Sequence, residues 1–182
     1  MAQKATICKA TLQIADIERG LYGDHQVTLA KHPSETDERM MIRLLAFALH
    51  VPADDRQGSL EFAKGMWEPD EPELWQKDLT GRIVQWIEVG QPEERRLLKA
   101  SGRADRVAVF AYGQNVAGWW AAMSGRLART RNVEAWQIDA AQSRALAGLA
   151  GRAMNLQVSR QEGLVLIADG QGSAEVALER LV

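Results

Sequence analysis

The stretch of sequence that decides the fold is residues 71–92, which read EPELWQKDLTGRIVQWIEVGQP. Two segments rich in apolar, aromatic and β-branched residues flank the tetrapeptide LTGR at 79–82, whose glycine is typical of a tight turn. We therefore predict an antiparallel β-hairpin here, with its turn centred between Thr80 and Gly81.

The predicted hairpin brings two acidic residues together. With the turn at this place, Glu73 lies directly opposite Glu88, and Trp75 lies directly opposite Trp86. Directly opposed residues have Cβ atoms about 4.5–5.5 Å apart, and like charges there are destabilising. Carboxylates placed so close are usually neutralised by a cation, a proton or a basic side chain. The pair therefore indicates a metal-dependent site. The alternative, structural glutamates paired with basic side chains, explains the spacing equally well.

The composition of the chain narrows the class of protein. It has 182 residues, of which 46% are hydrophobic, and a net charge of −2 from 22 basic and 24 acidic residues. We predict one domain, residues 1–182. The small net charge gives no overall electrostatic field that would attract nucleic acid or an anionic membrane. Any contact with nucleic acid must then come from a local basic stripe.

Two features predict the compartment. No apolar run approaches the roughly 18 residues that a membrane span requires, and the N-terminus has no apolar segment of the kind that signal peptides carry. The single cysteine, Cys8, cannot form an internal disulfide, which fits a reducing compartment. We therefore expect a cytoplasmic protein without a membrane partner.

The order of predicted elements is β-β-α-β-β-β-α-β-α-β-α-β-β-β. This order is typical of an α/β or α+β protein with a mixed central sheet flanked by helices. Residues 5–31 are predicted to form an N-terminal hairpin, and residues 154–182 to form C-terminal antiparallel strands that pack with it. A helix is predicted at 34–50, with Ser34 as its N-cap.

Glu38 is a further candidate acid. It stands near the start of the helix at 34–50, at the edge of the buried stripe that contains Met41 and Leu45. No basic residue lies three or four positions further on, so none on the same helix face pairs with it. An acid near a helix start is also favoured by the helix dipole, and this explanation fits the spacing slightly better than a functional one.

A basic stripe follows Pro92. Arg95, Lys99 and Arg103 stand four residues apart on a predicted helix, with Arg96 beside them. Like charges at this spacing oppose each other mildly, so nearby acids or phosphates would best explain the stripe. Such a stripe is the local footprint that binding to a phosphate backbone requires, although a solvated helix face is the commoner explanation.

Four short motifs carry a family resemblance. They are His32-Pro33-Ser34-Glu35-Thr36 with Glu38-Arg39, Glu71-Pro72-Glu73 with Trp75, Trp86-Ile87-Glu88 with Gly90 and Pro92, and Lys99-Ala100. In combination, and over essentially the whole chain, they closely resemble the bacterial YaeQ family. That family is similar in fold to the PD-(D/E)XK nuclease superfamily, which has an α-β-β-β-α-β core. The resemblance implies such a core at about 34–111, with strands at 59–64, 73–78 and 83–89.

The resemblance also implies a metal site. In the superfamily pattern the first helix supplies an acid, the second core strand supplies Pro-Asp, and the third supplies Asp/Glu-x-Lys. Carried over, Glu38 is the helix acid, Glu73 after Pro72 takes the Pro-Asp position, and Glu88 is the third carboxylate. Together they would hold Mg²⁺ or Mn²⁺ through oxygen ligands. Asp78 is a rival for the second position, but the predicted register puts it on the opposite face from Glu88.

One residue departs from the superfamily pattern. Gly90 stands where the motif lysine is expected, and either Gln91 or Lys99 would have to orient the nucleophile in its place. The phosphate backbone would then be held by three arginines, Arg95, Arg96 and Arg103.

Two functions remain open on these grounds. The resemblance implies a divergent nuclease that hydrolyses phosphodiester bonds of nucleic acid with a bound Mg²⁺ or Mn²⁺. The missing lysine favours the alternative, a non-catalytic module that binds nucleic acid or protein and is built on a degenerate nuclease fold. In a third interpretation, Glu73 and Glu88 only form structural salt bridges with Lys99 and Arg95.

Overall fold

The computed structural model describes residues 4–182, and in this part the chain forms four α-helices and eleven strands in two sheets. The strands are β1 (Thr6–Asp16), β2 (Leu21–Lys31), β3 (Leu60–Phe62), β4 (Leu74–Lys77), β5 (Ile83–Val89), β6 (Ala104–Ala111), β7 (Val133–Gln137), β8 (Ala153–Gln161), β9 (Leu164–Ala168), β10 (Ser173–Ala177) and β11 (Glu179–Arg180). The helices are α1 (Asp37–His50), α2 (Glu94–Arg103), α3 (Val116–Leu127) and α4 (Ala140–Ala147), and a 3₁₀ turn covers Gly65–Trp67. The predicted mixed α+β class is confirmed, with two sheets instead of one central sheet.

Contacts group the elements into two compact units. The first takes in the chain as far as Leu49 together with Ala141–Leu178, and the second consists of His50–Ala140 and Glu179–Val182. None of the described helices is long and apolar enough to cross a membrane.

The first unit is built on the five-stranded sheet β10-β9-β8-β1-β2. β1 pairs antiparallel with β2 and parallel with β8, so the first and last parts of the chain share one sheet. Alternate β1 side chains are buried, as expected for a strand with one covered face. α1 packs on the same sheet, where Arg43 Nη1 donates to Ala30 O at 3.3 Å and Phe47 meets the ring of His25 edge to face.

The start of α1 differs from the prediction. Thr36 is its N-cap, because Thr36 Oγ1 accepts a hydrogen bond from the Arg39 N–H at 3.1 Å. Ser34, the predicted N-cap, instead places its Oγ 2.7 Å from His32 Nδ1. The helix therefore begins at Asp37, three residues later than predicted.

The second unit is built on the six-stranded sheet β11-β7-β6-β5-β4-β3. Its strands β5, β6 and β7 are parallel, and α2 and α3 are the crossovers that connect them. Both helices bury apolar side chains against the sheet, and the resulting core contains Leu97, Ala100, Met123 and Leu127. The amphipathic pattern of α2 thus fixes which of its sides covers the sheet and which carries its charges.

The predicted hairpin forms from β4 and β5. Trp75 pairs with Trp86 as predicted, and their rings meet edge to face with centroids 6.0 Å apart. The register shifts by one residue beyond Gln76, so a β-bulge precedes the turn. Glu73 lies just before β4, and its N–H donates to Ile87 O at 3.0 Å. The register of β4 with β5 therefore does not include the predicted direct pair of Glu73 with Glu88. Glu73 precedes β4, and Glu88 lies on the neighbouring strand β5.

Candidate functional site

Glu88 is a buried carboxylate on β5 with two strong donors. The residue is 3% exposed, and its Oε1 accepts hydrogen bonds from Trp86 Nε1 at 2.8 Å and from Arg96 Nε at 2.6 Å. Burial raises the pKa of Glu88, the Arg96 guanidinium and the Trp86 donor oppose that rise, and the neighbouring Glu73 carboxylate adds to it. The Glu88 charge is therefore held in place by Arg96.

Arg96 also fastens the loop that leads into β4. Its Nη2 donates to Glu71 O at 2.7 Å, and its Nη1 donates to Pro69 O. On the next turn of α2, Lys99 Nζ bonds Asp70 Oδ1 at 3.1 Å. Two basic side chains of one helix thus hold three successive loop residues, and the guanidinium uses a donor on each of its three nitrogens.

Glu73 fills a space that Gly65 leaves open. Its side chain is buried, and a Cβ atom at Gly65 would lie 2.7 Å from Glu73 Oε1, well inside van der Waals contact. Gly65 also adopts φ +40°, a conformation that residues with a side chain rarely adopt. The 3₁₀ turn is therefore shaped around the Glu73 carboxylate.

We expect Gly65→Ala to lower the free energy of unfolding by about 2–3 kcal/mol, because it combines backbone strain with a collision against a buried carboxylate. Gly81→Ala is the matched control, since Gly81 has φ +87° and a Cβ there meets nothing within 4 Å. Strain alone should cost Gly81→Ala about 1 kcal/mol. Urea denaturation measures both, and equal losses would show that the Glu73 contact carries no energy.

Glu38, the third predicted metal ligand, belongs to the first compact unit, whereas Glu73 and Glu88 belong to the second. Its Oε2 accepts a hydrogen bond from Ser143 Oγ at 3.0 Å. Among the described residues no three His, Cys, Asp or Glu side chains are grouped so that they could hold a metal ion. With Arg96 on Glu88 Oε1, the carboxylates as arranged do not fit a divalent cation.

The backbone explains why residue 90, where the resemblance implies a lysine, is a glycine. Gly90 has φ +105°, a region that disfavours any residue with a Cβ atom, and its N–H donates to Phe110 O at 2.9 Å. Gln91 Nε2 donates to Tyr112 O at 3.0 Å and to Gln114 O at 2.8 Å. Gln91 thus ties two loops together, and its role in orienting a nucleophile stays a prediction.

Asp78, the rival for the second acidic position, caps the hairpin turn. Its Oδ1 accepts hydrogen bonds from the Thr80 hydroxyl at 2.6 Å and from the backbone N–H groups of Thr80 and Arg82. These bonds hold the pKa of Asp78 below its usual value, with the Thr80 hydroxyl as the main cause. Asp78 therefore belongs to the turn.

The basic stripe of α2 lines one cavity of about 220 Å³, which we call the α2 pocket. Its basic residues are Arg95, Arg96, Lys99 and Arg103, and its other lining residues are Pro69, Asp70, Trp86 and Glu93. The Arg103 guanidinium lies over the Trp86 ring, 5.1 Å from its centroid. Within residues 4–182, Arg95 makes no hydrogen bond or ion pair and is exposed. The structure thus brings together all three predicted phosphate-binding arginines.

The matched family model is that of the YaeQ protein, and it covers residues 1–178. The chain belongs to the YaeQ family. It is 42% identical to the uncharacterized protein YaeQ of Salmonella typhi over 179 residues, which are 98% of this chain and 96% of that protein. It is 41% identical to YaeQ of Escherichia coli K12 over the same shares.

Two crystal structures of YaeQ proteins have the same fold. That of the protein from Xanthomonas axonopodis pv. citri superposes with a TM-score of 0.91 at 43% identity, covering 97% of this chain and 98% of the other. That of the protein from Pseudomonas syringae superposes with a TM-score of 0.90 at 36% identity, covering 100% and 98%. The predicted family is confirmed, and the likeness to PD-(D/E)XK nucleases stays a prediction.

Proposed function

We propose that the protein binds nucleic acid through the α2 pocket, with Arg95, Lys99 and Arg103 contacting backbone phosphates. The convergence of four basic side chains on one cavity supports this proposal most strongly. Arginine presents several N–H donors in a plane, which suits phosphate oxygens. Arg96 already donates hydrogen bonds to Glu88 and to the 69–71 loop, so it would contribute mainly positive electrostatic potential.

The length of the stripe favours a polymer over a single small anion. Arg95 and Arg103 are eight residues apart, which is about 12 Å along an α-helix. One strand of a nucleic-acid duplex advances about 3.4 Å per phosphate, so the row spans roughly three to four intervals, or about four phosphates. With a net charge of −2 on the whole chain, binding would depend on this local patch and would be sensitive to salt.

Phosphodiester hydrolysis with Mg²⁺ or Mn²⁺ is the second candidate function. The adjacency of two buried acids, Glu73 and Glu88, favours it, because the Glu73 carboxylate raises the pKa of Glu88 and a bound cation would relieve that repulsion. Hydrolysis would require Arg96 to leave Glu88, which the observed contacts oppose. Binding without catalysis is therefore the function that we favour.

The test is fluorescence anisotropy with labelled single- and double-stranded DNA and RNA over a series of salt concentrations. We expect the triple variant Arg95→Ala, Lys99→Ala, Arg103→Ala to bind at least about tenfold more weakly at low salt. Its slope of log affinity against log salt should fall by about one for each phosphate that the variant no longer binds. The control replaces three exposed arginines elsewhere, Arg56, Arg129 and Arg152, by alanine and so removes the same charge.

Equal losses of affinity in the two triple variants, or no binding by the wild-type protein, would refute the proposal. The same samples incubated with Mg²⁺, Mn²⁺ or EDTA test hydrolysis. Metal-dependent cleavage that disappears in Glu88→Gln would establish the second candidate in its place.

A further inference from the structure

We propose that Arg96 is the built-in counter-cation of Glu88, and that its guanidinium occupies a latent site for a hard divalent cation. The wild-type protein then binds no Mn²⁺ there, and removal of the Arg96 charge uncovers the site. This inference does not depend on binding of nucleic acid.

The Glu88 carboxylate needs positive charge nearby. Glu73 and Glu88 are 4% and 3% exposed, so water solvates neither well. Burial raises the pKa of Glu88, and the Glu73 carboxylate raises it further. Taking a carboxylate out of water without compensation costs several kcal/mol, so the Glu88 carboxylate requires a positive charge beside it.

Arg96 supplies this positive charge, and its guanidinium donates hydrogen bonds to three oxygens. Its Nε donates to Glu88 Oε1 at 2.6 Å, its Nη2 donates to Glu71 O at 2.7 Å, and its Nη1 donates to Pro69 O. One carboxylate oxygen and two carbonyl oxygens therefore converge on the guanidinium. Carboxylate and carbonyl oxygens are the ligands that Ca²⁺, Mg²⁺ and Mn²⁺ prefer.

The guanidinium and a metal ion exclude each other. Glu88 Oε1 already accepts two N–H donors, and a divalent ion bound to it would stand next to a positive charge 2.6 Å from the same oxygen. An ion in place of the guanidinium is smaller than the group it replaces, so it would keep several of its waters between the protein oxygens. The loop carbonyls and the Glu88 carboxylate would then bind the ion, directly or through its waters, in place of the Arg96 guanidinium.

Titration with MnCl₂, followed by calorimetry and by electron paramagnetic resonance of free Mn²⁺, tests the proposal without nucleic acid. Arg96→Met removes the charge and keeps much of the side-chain volume, and Arg96→Gln removes the charge but keeps a donor. We expect both to bind one Mn²⁺ per chain at least about tenfold more tightly than the wild-type protein does. Arg96→Lys keeps the positive charge and should remain as weak as wild type.

The double variant Glu88→Gln, Arg96→Met separates this site from adventitious binding, because it lacks the proposed carboxylate ligand and should lose the gain. Mn²⁺ should also raise the melting temperature of Arg96→Met but not that of the double variant. Glu88-dependent binding of Mn²⁺ by the wild-type protein would overturn the proposal. So would folded Arg96→Met and Arg96→Gln proteins that bind no Mn²⁺, or unfolded ones that Mn²⁺ does not restore.

Discussion

Arg96→Met is expected to lower the free energy of unfolding by about 3 kcal/mol at neutral pH in the absence of divalent metal. Removing one partner of a buried ion pair typically costs about 3–5 kcal/mol, because the remaining charge stays buried without compensation. The lower end of that range applies because the Arg96 side chain is 29% exposed, so water can enter part of its volume. The loss of two bonds to the 69–71 loop adds to the effect.

The pH dependence identifies the cause of this loss. Without Arg96, burial and the Glu73 carboxylate raise the pKa of Glu88 with less opposition, so it lies above the ordinary value of 4.5 by more than in the wild type. A carboxyl whose pKa is raised in the folded state binds its proton there first as the pH falls. The native state is therefore stabilised as the pH falls from the raised pKa towards 4.5, and the deficit of Arg96→Met shrinks over that range.

Urea denaturation over a series of pH values measures the deficit. Glu88→Gln, Arg96→Met is the control, because it leaves no charge at position 88 and should show a smaller deficit without this pH dependence. A deficit of Arg96→Met that stays constant down to the pH at which free carboxyls protonate would mean that packing, not charge, accounts for the loss.

The hairpin could be predicted because its determinants are local. The glycine turn and the alternation of apolar side chains predict two paired strands, and the Trp75–Trp86 pair on the far side of the bulge has the predicted register. The bulge after Gln76 and the position of Glu73 outside the ladder could not be predicted, since they lie against segments that precede the hairpin. Gly58 packs on the Lys77 carbonyl, and Gly65 packs on the Glu73 carboxylate.

The partner of Glu88 was harder to predict, because it depends on how α2 lies on the sheet. The sequence offered Arg95 and Lys99 as salt-bridge partners, but the structure pairs Glu88 with Arg96 and pairs Lys99 with Asp70. Burial of Leu97 and Ala100 sets the rotation of the helix and turns Arg96 towards Glu88. A hydrophobic stripe of only two residues gave too weak a signal to choose among neighbouring arginines.

The grouping of Glu38 shows the limit of local patterns. The helix that carries it was predicted from its periodicity, but the compact unit to which it belongs depends on contacts that are distant in sequence. The parallel pairing of β1 with β8, which joins residues more than a hundred positions apart, is one such contact. No spacing rule within residues 34–50 carries that information.

Trp86→Ala is expected to lower the free energy of unfolding by about 3–5 kcal/mol. The Trp86 side chain packs in the core of the second unit and also contacts Glu88 and Arg103. Trp86 is 3% exposed, packs in the core with Leu97 and lies beneath the Arg103 guanidinium. Truncating a buried tryptophan loses its transfer free energy and leaves a cavity. Because the α2 pocket loses a lining side chain as well, binding of nucleic acid by any remaining folded protein should also weaken.

Trp86→Phe separates the hydrogen bond from the packing. It keeps an aromatic ring but removes the Nε1–H that donates to the buried Glu88 carboxylate, and a bond to a charged group is worth about 1.5–3 kcal/mol. Trp119→Phe is the matched control, since Trp119 Nε1 donates at the same 2.8 Å to a neutral acceptor, Pro92 O. Trp119→Phe should lower the free energy of unfolding by about 0.5–1.5 kcal/mol. Thermal and urea denaturation compare the two, and a loss no greater in Trp86→Phe than in Trp119→Phe would show that Arg96 alone compensates the Glu88 charge.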